Sequence, residues 1–429
     1  MTASVSKFRA LMPQLIAEAQ KNREIDDGTA VDKELCPAKP DFSCDKSGAI
    51  KPTLANLEIA FDNPDDYGGR RFVFDTFSDD LIVIDRSGND KRLEDDDLVN
   101  LRKDLEKCGF LPVGRELMRD AVYARAKANK IDHAQAWLES LEWDGVSRVA
   151  AFMHRYCGAE DRRYSTAVSL YTWTGLAARV LVPGIQCDMA PIWVGGQGVK
   201  KSTGIQNMAP DLEFYGEINL ALPDETNARL LRGIMVAELS ELNGLGTRAI
   251  EHVKAFITRR QERWTPKFKE FTTTYGRRCL FFGTTNSDAF LDDETGNRRF
   301  LPIRVDAVDP EAIARDREQL WAEGAHLFRL DGIHWQEAEQ LARDEHQSYV
   351  VEDAWQANLE AYIARDPSGA AEGFTMSEVL SQVALIPTHQ QNRSHENRMG
   401  KILRRLGYAV KQTTDSKDKR KVRLWVKPV

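Results

Sequence analysis

The sequence predicts an α/β protein: a central parallel-sheet domain of the P-loop kind, a mixed α+β domain before it, and a small winged-helix-like domain after it. Three observations predict this. Apolar runs APIWVGG (190–196), GIMVAEL (233–239) and RCLFFGTTN (278–286) are separated by segments of helical periodicity, and strands alternating with helices argue for a parallel sheet. The first run enters a glycine cluster that opens a helical stretch. The tail is basic and runs helix, helix, strand, charged turn, strand.

At 429 residues the chain is too long for one hydrophobic core. Composition divides it at 1–52, 53–155, 156–350, 351–370 and 371–429. With 42% hydrophobic and 29% charged residues it reads as globular. Its apolar runs fall far short of the roughly 20 residues that span a bilayer. The N-terminus reads as an amphipathic helix broken by Lys7 and Arg9, not as a signal peptide. The expectation is a cytoplasmic protein with no membrane partner. Six cysteines, at 36, 44, 108, 157, 187 and 279, form no CxxC pair. Cys36 and Cys44 lack a nearby His/Cys pair to complete a zinc set, so reduced thiols are the better reading.

Residues 26–52, polar and containing Pro37, Pro40, Gly48 and Pro52, read as a linker. The stretch 72–93 alternates like short strands, with its clearest turn at Ser87, Gly88 and Asn89. Residues 93–110 have helical spacing, and Asp95, Asp96 and Asp97 stand where a helix dipole favours acids. The spacing predicts a helix over 137–145 ending at Gly145, with Trp137, Leu138 and Leu141 as core, and further helices over 164–182 and 308–348. Asp366 to Ala371 reads as a hinge. The tail predicts helices over 376–386 and 395–406 and strands over 407–413 and 421–426. From 371 onward, 12 Lys/Arg stand against 5 Asp/Glu, a balance of +7, so the preceding body has −14 of the total −7. A basic tail on an acidic body points to a polyanion partner, or to a solvated charged surface.

The segment WVGGQGVKKST lies between a predicted strand and a predicted helix, the setting in which G-x-x-x-x-G-K-S/T binds phosphate. Gly195 matches the first glycine, and Lys201 and Ser202 the final pair, followed by Thr203. Backbone N–H groups of such a loop wrap phosphates, and the helix N-terminus adds a favourable dipole. Lys201 would reach the β- and γ-phosphates of ATP, and Ser202 would help hold Mg²⁺. Lys200 replaces the second glycine, adding charge and bulk where glycine serves close approach. Gly196 and Gly198 keep the loop flexible. Without a nucleotide, the segment is a glycine-rich strand-to-helix turn.

Downstream, a P-loop ATPase needs an acidic strand end for Mg²⁺ and the attacking water. Glu238 directly follows the run IMVA, and Glu241 lies three residues on; acids also simply start helices. Asn286, past the third strand, suits water orientation or γ-phosphate sensing, and equally a turn. Arg298 and Arg299 precede an apolar strand, where an arginine can serve a neighbouring subunit's transition state or a plain surface.

Together these motifs resemble the virulence-associated protein E family of phages and pathogenicity islands. The resemblance rests on LEWDGVSR (141–148), LVPGIQCDMAPIWVGGQG (181–198), MVAELSEL (235–242), VKAFITRRQERW (253–264), RRCLFFGTTN (277–286), FLDDETGNRRFLPI (290–303) and QLWAEG (319–324), across roughly 130–350. It implies an AAA+-class, superfamily-three-like replicative ATPase working on mobile-element DNA as a ring, most simply a hexamer. It assigns Gly195, Lys201 and Ser202 to phosphate and Mg²⁺, Glu238 and Glu241 to an acidic pair, Asn286 to the sensor, and Arg298 or Arg299 to an arginine finger. The family has glycine at 200, so Lys200 bears on ATP turnover more than on ATP binding.

Eight basic residues lie between Lys254 and Arg278, interleaved with Trp264, Phe268, Phe271 and Tyr275. Basic residues among aromatics suit a single-strand backbone, although such aromatics also form core. Helicases of the resembled class place a DNA-gripping hairpin just before the sensor strand, which singles out Lys267 and Lys269. In the tail, Arg393, Arg398, Lys401, Arg404 and Arg405 lie on or near a recognition-type helix, with Lys417, Lys419, Arg420 and Lys421 in the wing. They suit phosphate contacts, or a protein-binding winged helix. Three functions compete. The first is an ATP-dependent DNA helicase or replication initiator acting on single-stranded, forked or origin DNA. The second is a nucleotide-binding DNA assembly module that recruits host replication proteins with little ATPase activity. The third, a small-molecule P-loop kinase, is disfavoured by the arginine pair and the basic tail. The first 150 residues show no primase-like carboxylate constellation.

Overall fold

The computed structural model describes residues 40–219, 222–239, 247–264, 272–286, 297–346, 354–367, 373–414 and 421–427. Contacts divide the chain into two units, Met1–Tyr349 and Val350–Val429.

In the first unit, the alternating stretch forms an antiparallel meander of β1 (Arg71–Asp75), β2 (Asp80–Ile84) and β3 (Asp90–Arg92). Helices α1 (Leu54–Asp62), α2 (Asp95–Lys107) and α3 (Arg115–Ala128) flank it, and β4 (Lys130–Ile131) joins β1 in parallel. The acidic start of α2 forms a capping box between Glu94 and Asp97. Phe61, Phe72, Phe74, Leu101, Leu105 and Met118 fill the core beneath the sheet.

Several predicted boundaries differ in the structure, among them the helix expected over 308–348, which is broken after Asp331 by Gly332 at φ +77 and resumes at Gln336, and the helix expected over 376–386, which ends at Gln382. Residues 40–52 are not a bare linker: Ile50 exchanges backbone hydrogen bonds with Gly109 and Leu111 at 2.9 Å, and Phe42 packs edge-on against Tyr67 and Phe110. Their partners lie far along the chain, where local composition has no reach. The helix predicted over 137–145 is α4 (His133–Ser140), which stops before Leu141. Beyond it, the buried Glu323 carboxylate accepts from Ser147 Oγ at 2.9 Å, Arg148 N at 2.6 Å and Val149 N at 2.9 Å. A buried carboxylate needs its acceptor sites filled, and the segment beyond the helix supplies these donors. The segments LEWDGVSR and QLWAEG are thus one structural clamp.

Helix α5 (Phe152–Cys157) leads to α6 (Arg163–Leu181), buried nearly all round. The central sheet comes next: β5 (Ala190–Val194), α7 (Lys201–Met208), β6 (Tyr215–Ile218), α8 (Asp224–Leu230), β7 (Val236–Leu239) and α9 (Thr247–Ile257). A hairpin of β8 (Gln261–Trp264) and β9 (Thr273–Gly276) precedes β10 (Leu280–Thr285) and β11 (Phe300–Arg304). Five strands form one all-parallel sheet in the order β11-β5-β10-β7-β6. All five residues of β5 are buried, which is why it reads as an unbroken apolar run. One face packs Trp193 with Phe152, Trp173 and Trp321, the last from α10 (Pro310–Asp331). The other packs Ile192, Ala237 and Phe281 against Val253 and Phe256 of α9. Helix α11 (Gln336–His346) closes the unit.

The N-terminal sheet is keyed to the hairpin's base. Phe77, fully buried, packs on His133, Phe214 and the Arg278 guanidinium. Its carbonyl accepts from Tyr275 OH at 2.6 Å. Arg278 forks onto Asp132 at 2.6 and 2.9 Å, and Arg277 pairs with the buried Glu262. Lys254, Arg277 and Arg278, part of the predicted basic cluster, are therefore buried pairing groups unavailable to nucleic acid. Trp264 and Tyr275 are core.

The second unit contains α12 (Ala354–Arg365), α13 (Met376–Gln382), α14 (Arg393–Arg405) and a hairpin of β12 (Ala409–Thr414) and β13 (Lys421–Val426). Its core is Leu359, Phe374, Val379, Met399, Leu403 and Trp425. The predicted hinge from Asp366 lies largely outside the described residues. No helix among the described residues is long and apolar enough to cross a membrane.

The keyed sheet can be tested at two residues. Phe77→Ala removes the wedge and is expected to cost about 3–5 kcal/mol in urea unfolding; a loss below about 1 kcal/mol would contradict its role. Beside Phe77, His133 Nδ1 lies 2.8 Å from Asp75 Oδ2. Burial opposes both charges. The Asp75 carboxylate nevertheless raises the His133 pKa above 6.5, and His133 with Ser78 holds Asp75 below 3.8. The His133 contribution is complete below 6.5 and is lost as pH rises through its raised folded value. The Asp75 contribution is complete above 3.8 and is lost on acidification. Urea midpoints should decline from about pH 6 toward alkaline pH, and His133→Gln should flatten that decline.

Candidate functional site

In a parallel sheet the C-terminal strand ends share one edge, where open α/β sheets place ligands. Thr285 pairs with Val194, and Phe282 with Glu238, so the loop after β5, the end of β7 and Asn286 after β10 meet there.

The loop's backbone explains its glycines. A Cβ on Gly195 would stand 2.3 Å from the Val305 carbonyl oxygen, too close for any side chain. Gly198 has φ +86. Lys200, the residue before α7, is left-handed at φ 61 and ψ 32, a conformation glycine adopts freely. Its side chain is exposed, with Nζ 3.9 Å from Glu311 Oε1. The lysine thus keeps a backbone suited to glycine, against a steric penalty of about 1–2 kcal/mol.

Lys201, only 8% exposed, donates to the carbonyls of Gly195 and Gly196 at 2.8 Å and to Asn286 Oδ1 at 2.7 Å. Burial pushes its ammonium below the usual lysine range, with the Glu238 charge opposing. Ser202 Oγ donates to Glu238 Oε1 at 2.7 Å, and Thr284 Oγ1 donates to the same oxygen at 2.8 Å. Tyr215 OH donates to Glu238 Oε2 at 2.6 Å. Burial first, and then that bond, pushes the Tyr215 phenol well above its usual range. Gly196 lines the same loop, and Thr203 is exposed on the first turn of α7. Sequence reasoning missed Tyr215 and Thr284. Thr284 stood within GTTN, but Tyr215 had no motif around it.

The arginine pair stands elsewhere. Phe300 pairs with Ala190, at the start of β5. Arg298 and Arg299 therefore lie a strand length from the loop, roughly 16 Å at about 3.3 Å per residue. Arg298 lies 3.6 Å from Glu339, and Arg299 is half-buried. They line a cavity of about 430 Å³ with Tyr171, Asp188 and Trp335. Neither can join the loop of its own chain.

Glu241, Lys267 and Lys269 lie outside the described residues, as do Phe268, Phe271, Lys417, Lys419 and Arg420. On α14, Arg398, Lys401 and Arg404 are exposed. Arg398 sits 4.0 Å over the Trp355 ring and Arg404 5.6 Å over Trp425. The side chain of Arg405 is outside the described set.

This edge gathers a buried ammonium, hydroxyls and a carboxylate. Ser202 and Glu238 are hard oxygen donors of the kind Mg²⁺ takes. Among the described residues Lys201 is a buried cation held by neutral oxygens, and the first N–H groups of α7 have no partner within their helix. The residues fit a phosphate with its metal.

Fold and site define a mixed α/β protein with a five-stranded all-parallel sheet and a glycine-rich loop at one strand end. The chain belongs to the virulence-associated protein E-like family, whose domain pattern matches residues 138–352. Among solved structures it is similar to the apo A form of the NrS-1 C-terminal region, with 12% identity, 86% of this chain and 99% of that one covered, and a TM-score of 0.49. A JCV helicase bound to a thiazolopyridine compound matches at 11% identity, covering 58% of this chain and 79% of that one, with a TM-score of 0.27. No curated protein matches.

Lys200→Gly relieves the left-handed strain and is expected to raise stability by about 1 kcal/mol. Thermal melting reads this; a lower melting temperature would show that the Lys200 side chain contributes more than its backbone costs.

Proposed function

We propose that this protein is an ATP-dependent DNA helicase or replication initiator of a phage or other mobile element. The observation that carries the reading is the convergence at one sheet edge of the pairs Lys201–Asn286 and Ser202–Glu238, both at 2.7 Å. Residues far apart in sequence meet there in the arrangement a P-loop ATPase needs. Family membership supports the same reading.

Bound ATP–Mg²⁺ would supply the phosphoanhydride whose cleavage drives movement on DNA. Lys201 exchanges its loop carbonyls for phosphate oxygens, and the backbone N–H groups from Gly196 to Thr203 line the phosphates. Ser202 and Glu238 hold the metal, and Glu241 shares the acidic role. We read the sheet as AAA+-type: β10 stands between β5 and β7, so Asn286 meets the loop through Lys201 and would stand beside an attacking water next to Glu238. Arg298 and Arg299 are a strand length from their own loop, so a finger role requires a neighbouring subunit, and a ring, most simply a hexamer, follows. The hairpin before β10 would bring Lys267 and Lys269 to single-stranded DNA. In the second unit, α13 and α14 followed by the β12–β13 hairpin read as a winged helix whose Arg398, Lys401, Arg404 and Arg405 meet phosphates. Host replication proteins are further partners.

The test is ATP hydrolysis and forked-DNA unwinding by the purified chain, with and without single-stranded DNA. Lys201→Ala should lower hydrolysis by about 100-fold or more while leaving the melting temperature near wild type. A chain that binds no ATP sinks the proposal. A chain that binds ATP and DNA but neither hydrolyses nor unwinds is an assembly module instead. Rescue of turnover by Lys200→Gly would then locate the block.

A further inference from the structure

Glu238 is almost fully buried, yet both of its oxygens are occupied by hydroxyl donors from three different elements. Oε1 takes Ser202 from the loop helix and Thr284 from β10. Oε2 takes only Tyr215, from the edge strand β6, among the described residues. The sheet register explains why a tyrosine can reach. Glu217 lies directly opposite Glu238, and Tyr215 opposite Val236. Residues two apart on a strand share a face, so Tyr215 stands diagonally below the carboxylate on the same side as Glu217. A phenol has the length to climb that diagonal and end in a donor. Its ring packs against the core beneath the sheet. A phenylalanine would fill the same space and leave Oε2 without its hydrogen bond.

This arrangement bears on metal binding. An ionised carboxylate offers about four lone-pair sites and can turn to chelate a cation with both oxygens. Mg²⁺ demands near-octahedral geometry and is usually bound through only one or two carboxylates. Tyr215 on Oε2 and Thr284 on Oε1 fix the plane of the carboxylate; once Ser202 turns its O–H away, the Oε1 lone pair it occupied and the Ser202 oxygen are presented side by side. Partners one step removed from a metal set the orientation of its ligands.

We propose that Tyr215 is a positioning residue for the divalent cation: its hydroxyl locks Glu238 so that Oε1 and Ser202 present one preformed half of a Mg²⁺ site. The inference rests on the proposed nucleotide site and adds to it a residue that no motif contains.

Binding of a fluorescent ATP analogue, measured in EDTA and across a Mg²⁺ titration, tests it. Tyr215→Phe should leave metal-free binding within about 2-fold of wild type and weaken the Mg²⁺ half-saturation by roughly 10-fold or more. The manganese spectrum of the Mn²⁺ complex, read by electron paramagnetic resonance, should broaden as the site loosens. Because Tyr215 acts through Glu238, adding Tyr215→Phe to Glu238→Gln should weaken Mg²⁺ no further. Additive losses, an unchanged Mg²⁺ titration, or a Tyr215→Phe chain that fails to fold would each overturn the proposal in favour of a purely structural hydroxyl. If wild type binds no analogue with or without metal, the nucleotide-site reading fails and takes this inference with it. Wild-type binding with a silent Tyr215→Phe overturns the positioning role alone.

Discussion

All five strands of the central sheet run the same way, and the placement of the glycine-rich loop, Glu238, Asn286 and the arginine pair depends on that constraint. Parallel strands require crossover segments, and each crossover returns the chain to the starting edge. The glycine-rich loop, Glu238 and Asn286 are therefore delivered to one edge although they are far apart in sequence. The same constraint sends Arg298 and Arg299 to the opposite edge, because they precede β11 rather than come after it. A single chain thus holds the two halves of the proposed reaction apart.

Burying charge at such an edge is expensive unless each group is paired or hydrogen-bonded. Hydrogen bonds from distant segments meet this cost at three buried groups. Lys201 is held by two carbonyls and an amide oxygen, Glu238 by three hydroxyls, and Glu323 by two backbone N–H groups and a serine. Arg278 forks onto Asp132 and so ties the N-terminal sheet to the foot of the β8–β9 hairpin. Phe77 fills the joint between them. The hairpin's base is therefore rigidly supported from a part of the chain in which the sequence showed no catalytic signature.

Much of the fold was legible in the sequence because its signals are local. Unbroken apolar runs marked the buried parallel strands, alternation marked β1 and β2, and the Asp-rich start marked α2. Where tertiary partners outbid local preference, the reading failed. The helix predicted to reach Gly145 stops at Ser140, and the segment after it is held by Glu323, on a distant helix. Residues 40–52 dock through backbone bonds that polar composition conceals. Basic residues near the hairpin looked like one cluster, yet Arg277 and Arg278 face inward to Glu262 and Asp132.

The candidate site divides in the same way. By itself the sequence determined the loop, its lysine and serine, the acidic strand end and the asparagine, because each comes just after a short apolar run and strand ends are where such side chains emerge. It also exposed Lys200 as a departure from glycine. Only the tertiary structure decided that the Lys200 backbone is left-handed, that Lys201 meets Asn286, and that the arginine pair stands away from its own loop. Only it brought Tyr215 to Glu238, since that contact depends on the register between two neighbouring strands, and register is a property of the assembled sheet rather than of either segment.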